Sequence, residues 1–336
     1  MNEQAGVTRP RRWLYAAGLT MLAPFLAETV ASSNTPAVVF PLVLPVLLLV
    51  YGVPALLVRE LWVRQRIGWP GVLVLGLAYT LLNEGLVAAT WFKLAPASGK
   101  VLVFTASQAL HVGGVNLAVA AGLVVFHTVY SIVLPCALAH VWAGGARGVP
   151  WLGRTGIMVG SALVLLVMVG SLTPRATVRA CTGPALASCT VGRRLSFLAI
   201  VLLVGLALAL PKARAAGQAV SRPRPAMLVA AGAAFAVAFL IGFFVFPLAG
   251  VPILGAATAV ALTALGTSAA VRWLRAPDWG SRSTVALAAG LLLPGMIISF
   301  KGFAVGQPLA AVAAAVLLWR LARRAAPCPV EPARRR

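Results

Sequence analysis

Acidic residues are nearly missing from this chain: six Asp and Glu stand among 336 residues, against 28 Lys and Arg. Charged residues of either sign reach only 10%, and histidine occurs three times. A soluble domain carries about 25% charged residues. A chain that is 61% hydrophobic cannot cover a water-facing surface with polar groups. The mean hydropathy of +0.96 agrees, and together these values exclude an ordinary water-soluble globular protein. There is no Gly-rich phosphate loop, no nucleophile elbow and no His-Glu-x-x-His helix. The four cysteines form no Cys-x-x-Cys pair, so the common zinc frameworks are absent too. No cofactor and no metal are expected. The net charge of +22 is dispersed between apolar runs and has no interleaved stacking aromatics. It predicts contact with a lipid bilayer carrying anionic headgroups rather than with nucleic acid.

What the chain does have is length of apolar run. Ten segments approach or exceed the ~17 residues needed to cross hydrocarbon: 13–30, 36–58, 69–92, 115–142, 153–172, 195–211, 225–247, 250–271, 283–300 and 305–322. With the N-terminus placed in the cytoplasm, 21 of the 28 Lys and Arg fall on the cytoplasmic side and seven opposite. That asymmetry predicts both termini inside. The fold class is therefore an all-α polytopic transmembrane bundle of about ten spans in a plasma (inner) membrane. The expected organisation is a cytoplasmic arm (1–12), a first helical half (13–211), a cytoplasmic linker (212–224), a second helical half (225–322) and a basic tail (323–336). Three early arginines before an apolar run imitate a signal peptide. The run is long for one and no small-x-small site follows, so a retained first span is expected. Cys181 and Cys189 share the loop 173–194 on the far side. They can close a small disulfide in an oxidising compartment; two separate thiols fit the sequence equally.

Ionisable residues inside spans are costly and mark a bundle interior or a wet cavity. Here they are Glu28, Glu84 and His127. Glu84 needs a partner, and His127 lies at similar depth on the next span. Asn83 adjoins Glu84. Asn116, His127 and Ser131 share a helical face by their spacing. The candidate substrate- or ion-binding set is thus Asn83, Glu84, Asn116, His127, Ser131 and Glu28, with Glu84 and His127 as candidate catalytic residues. Three readings of this set stay open. One is an interhelical hydrogen-bond clamp, as in a non-catalytic scaffold. Another is a transport site for a small molecule, ion or lipid. The third is a catalytic site with Glu84 as base. Glu28 reads either as a carboxylate reaching the interface or as part of an outer vestibule. His140 is ~20 Å along the helix from His127 and reads as interfacial. Glu60 pairs with Arg64 across one turn or is solvated.

Several stretches carry a family resemblance: Ala23-Pro24-Phe25-Leu26-Ala27-Glu28, Val58-Arg59-Glu60, Gly68-Trp69-Pro70, Asn83-Glu84-Gly85-Leu86, Gly114-Val115-Asn116, His127 with Ser131-Ile132, and Pro150-Trp151-Leu152-Gly153. Through them the first 155 residues resemble a widespread, poorly characterised family of prokaryotic multi-pass membrane proteins. A double glutamate on one span and a histidine on the next, usual in such proteins, is also similar to the intramembrane CAAX-type protease clan, where these residues activate water. That likeness implies an intramembrane hydrolase with Glu84 and His127 in the site. This chain departs from the pattern, with Asn83 in the first glutamate's place and no Arg or Lys in the following turn.

Overall fold

The computed structural model describes residues 9–31, 35–92, 110–181, 186–210, 223–273, 279–301 and 306–325. Among these, nine helices are long and apolar enough to cross a membrane. They are α1 (Arg11–Ala31), α2 (Phe40–Arg64), α3 (Trp69–Val87), α4 (Leu117–Gly148), α5 (Arg154–Ser171), α6 (Leu186–Ala209), α7 (Pro225–Leu248), α8 (Pro252–Trp273) and α9 (Ser281–Ile298). A tenth helix, α10 (Gln307–Arg324), has 18 residues and ends in Arg320, Arg323 and Arg324. The chain is an all-α, multi-pass bundle. The only strand pairing among the described residues joins His111–Val112 to Val115–Asn116. Most of the expected linker 212–224, arm 1–12 and tail 323–336 lies outside the described residues, as do Lys93, Lys100 and Cys328.

Local chemistry explains where the helices differ from the apolar segments. α6 begins at Leu186, not 195, because Arg193 is buried within it rather than solvated before it. Its guanidinium donates to the carbonyls of Ser171 and Ala176, the latter at 3.5 Å. Carbonyls at a helix end lack intrahelical donors and welcome a cation. Much of the stretch read as the loop 173–194 is therefore helical, comprising Pro174–Ala180 and the first turns of α6. The Cys181–Cys189 disulfide closes it, with the Cα atoms 6.0 Å apart.

Five π-helical segments interrupt the α-helices among the described residues: Phe25–Ala31, Leu48–Gly52, Leu81–Val87, His127–Val133 and Ile241–Val245. Three of them have a proline two residues beyond their end: Pro54, Pro135 and Pro247. Proline supplies no N–H and its ring collides with the carbonyl four residues earlier. Those carbonyls belong to Val50, Ser131 and Phe243, each inside a π segment. Widening the turn to i→i+5 bonding relieves the collision and keeps the ladder closed.

Two ends of the bundle are defined by contacts. At one, Ala89, Trp91, Phe92 and Val119 form a small core with the disulfide, and Gly306 abuts Ala37 and Val38. At the other, Arg59 and Arg64 of α2 reach the α4–α5 connection. We refer to these as the disulfide end and the arginine end. One large core runs between them and takes buried residues from all ten helices. α7 and α9 approach closely through glycine, since a Cβ at Gly232 would stand 2.7 Å from the Leu287 carbonyl.

Candidate functional site

Four π segments deliver the polar side chains at the centre of the candidate site. Phe25–Ala31 carries Glu28, Leu48–Gly52 carries Tyr51, Leu81–Val87 carries Asn83 and Glu84, and His127–Val133 carries His127 and Ser131. π turns are frequent at functional sites because the extra residue re-aims side chains. The four re-aimed groups meet. His127 Nε2 lies 2.7 Å from Glu84 Oε1, and His127 Nδ1 lies 2.9 Å from Ser131 Oγ. The Asn83 amide donates to Tyr51 Oη at 3.1 Å and to Glu84 Oε1 at 3.2 Å, and it lies 3.4 Å from His127 Nε2. Tyr51 donates to Glu28 Oε1. Thr35, between α1 and α2, donates to Glu28 Oε2 at 3.2 Å, while its backbone N–H donates to the Glu28 carbonyl.

The result is one hydrogen-bonded chain: Ser131, His127, Glu84, Asn83, Tyr51, Glu28, Thr35. It starts near the middle of α4 and reaches the disulfide end of α1. The inner part is closed: Ser131 is 0% exposed, His127 2%, Asn83 4% and Glu84 7%. Rings shut it further, with Tyr51 5.9 Å, Tyr79 5.7 Å and Phe126 5.0 Å from the imidazole. A carboxylate buried alone costs several kcal/mol, and the hydrogen bond with His127 offsets this. Among the described residues no group of three His, Cys, Asp or Glu is arranged to hold a metal ion.

Asn83, Glu84, His127 and Ser131 are thus brought together, and Glu28 joins them through Tyr51. Glu28 is half-buried rather than simply extended to the interface. Asn116 stands apart from His127. The spacing placed it on the right face, but ten α-helical residues separate the two, about 15 Å of rise. Its Oδ1 accepts from the Val119 N–H at 3.2 Å, capping α4. Tyr51 was not marked by the sequence, since a tyrosine in an apolar run reads as ordinary core. Pro54 and Pro135 were the available signal, because each places a widened turn just upstream.

A second polar cluster sits at the arginine end. Arg59 and Glu60 are 0% and 1% exposed. Arg59 donates to Glu60 at 2.6 Å, to the carbonyls of Arg147 at 2.9 Å and Val149 at 2.8 Å, and to His140 Nε2 at 3.4 Å. Its guanidinium also lies 3.5 Å from the centroid of Trp151. Glu60 accepts from Arg64 at 3.0 Å and from the Trp151 backbone N–H at 2.8 Å. Glu60 is therefore paired with both arginines and is not solvated. His140 is not simply interfacial: it packs on Trp62, ring centroids 4.5 Å apart, beneath the same cluster.

A sequence-family model described as "Uncharacterized membrane protein family" matches residues 18–328. No curated protein and no solved structure matches the chain.

Proposed function

Since the chain belongs to that uncharacterized membrane protein family, whose model spans nearly its whole length, we propose that it is a transporter-like protein in which Glu84 and His127 bind and release a proton. One observation carries this reading: the 2.7 Å contact between Glu84 and His127 inside a closed, hydrogen-bonded chain. A metal ion or organic solute needs a cavity to enter. A proton needs only donors and acceptors in sequence, and intramembrane carboxylates and imidazoles serve such relays. Asn83 divides the chain into two proton-holding pairs, Glu84 with His127 and Glu28 with Tyr51, because an amide gives up its protons reluctantly. The outer pair opens toward the disulfide end. A disulfide persists in an oxidising compartment, and arginines gather on the cytoplasmic side. Both support a plasma-membrane orientation with the relay facing outward.

The test is proton movement in liposomes containing a pH-sensitive dye. The wild-type protein is expected to dissipate an imposed pH gradient, and Glu84→Gln and His127→Gln to abolish that flux while retaining helical content. Wild-type protein no faster than empty liposomes would reduce the pair to an interhelical clamp, typically worth about 0.6 kcal/mol per bond.

A second reading, intramembrane hydrolysis, is favoured by the bridging of a hydroxyl and a carboxylate by His127. This is the order of groups in an acid–base–nucleophile relay. It requires Ser131 to react with a membrane-permeant organophosphonate in a His127-dependent manner. Absence of labelling removes it.

A further inference from the structure

α10 differs from the other long helices in joining a lipid-exposed apolar stripe to a terminal cation cluster. Leu309, Val312, Val316 and Trp319 are 72%, 48%, 42% and 52% exposed, and they recur at helical spacing on one side. Arg320, Arg323 and Arg324 follow, all exposed. Between α10 and α9 lies an open groove of about 320 Å³, lined by Met296, Ala311, Val312, Ala315, Val316 and Trp319. Its wall is almost wholly apolar, and the small alanines create it. Trp319 closes the groove toward the arginine end, where the guanidinium of Arg323 lies 4.1 Å from the centroid of its ring. Stacking of this kind engages the flat face of the guanidinium and leaves the N–H edges for hydrogen bonding.

We propose that this groove and the arginine triad form a binding site for one anionic glycerophospholipid, with an acyl chain in the groove and the phosphate on Arg320, Arg323 and Arg324. Charge complementarity selects this occupant. Three guanidinium groups stand within one helical turn, where Arg recognises phosphate oxygens through paired N–H donors. Basic residues at an anionic lipid surface are attracted to its headgroups. The groove's volume of about 320 Å³ and apolar lining suit a stretch of acyl chain. The site is independent of the proton relay and shares no residue with it.

The experiment is native mass spectrometry of the full chain, delipidated in mild detergent and titrated with phosphatidylglycerol or with phosphatidylcholine of the same acyl chains. One phosphatidylglycerol is expected to bind at least tenfold tighter than phosphatidylcholine. Replacing Arg320, Arg323 and Arg324 together by Gln should remove the preference and leave the residual affinities equal. Ala315→Phe, at an exposed position that fills the groove, should weaken both lipids at least fivefold with the arginines intact. Equal binding of the two lipids by the wild type overturns the proposal. So does a triple variant that keeps the preference, or an Ala315→Phe variant with unchanged binding. A lipid-free dimer that Ala315→Phe dissociates also overturns it, and would assign the groove to a second copy of the chain.

Discussion

The two polar clusters bury similar kinds of side chain for opposite ends. At the arginine end, Arg59 has fixed partners on Glu60, His140 and two backbone carbonyls, and Glu60 is held by Arg59, Arg64 and the Trp151 N–H. Two arginines share one carboxylate, backbone carbonyls of Arg147, Val149 and Leu152 take further guanidinium donors, and nothing in the arrangement has reason to change. Among the described residues, the hydrogen bonds of the relay join no Arg or Lys. Two carboxylates, a phenol, an amide, an imidazole and hydroxyls hold one another. A guanidinium paired with backbone oxygens locks a connection in place. Carboxyl, phenol and imidazole groups on either side of one amide have more than one good arrangement of their protons. The cluster that fastens the fold and the cluster proposed to carry protons are thus distinguished by partner type, not by burial.

That contrast can be broken by mutation. The largest effect is expected from Arg59→Ala, which leaves the buried Glu60 with only Arg64 and the Trp151 N–H and takes the guanidinium from the Arg147 and Val149 carbonyls. Removing one member of a buried pair costs about 3–5 kcal/mol, and size-exclusion profiles and thermal melts should show most of the protein misfolded. Glu84→Gln keeps the shape of its side chain and should leave the melting behaviour nearly unchanged. Its proton flux should be lost, a fall of at least about a hundredfold on the scale of a missing acid–base group. A melt shifted as far as that of Arg59→Ala would erase the distinction. Tyr51→Phe removes the donor to Glu28, and flux should drop about tenfold, as for one hydrogen bond to a charged group, with Glu84 and His127 still in place. Smallest is His140→Gln, which weakens the clamp by about 1 kcal/mol in melting experiments and leaves flux unaltered. Altered flux there would show that the two clusters communicate.

Much of this was legible in the sequence, and the exceptions have physical causes. The spans could be read because backbone groups in lipid satisfy themselves within apolar helices. α6 began earlier than its apolar run because Arg193 and Arg194 lower the local hydropathy, yet Arg193 finds carbonyl partners and is buried. Glu84 and His127 could be paired because intramembrane ionisable groups are so few. Tyr51 could not, since phenol in a span is unremarkable until its hydroxyl is seen on Glu28. Asn116 has the right angular position but the wrong height. Glu60 read as either paired with Arg64 or solvated; the pair forms, but its burial was not foreseen, because the 146–151 stretch folds back over it, Trp151 donating its indole N–H to the Ala146 carbonyl at 3.0 Å. That return of the chain has no local signature in α2.

Each widened turn also behaves as a one-residue insertion that the helix has absorbed without breaking. One residue corresponds to about 100° of rotation. Excising a single residue from Leu81–Val87 or His127–Val133 would let the span re-close as a plain α-helix with its stub on the far side revolved by that angle. The rotated stub would carry every side chain beyond the cut to a different neighbour. These spans therefore tolerate conservative substitution more readily than they tolerate a change of length.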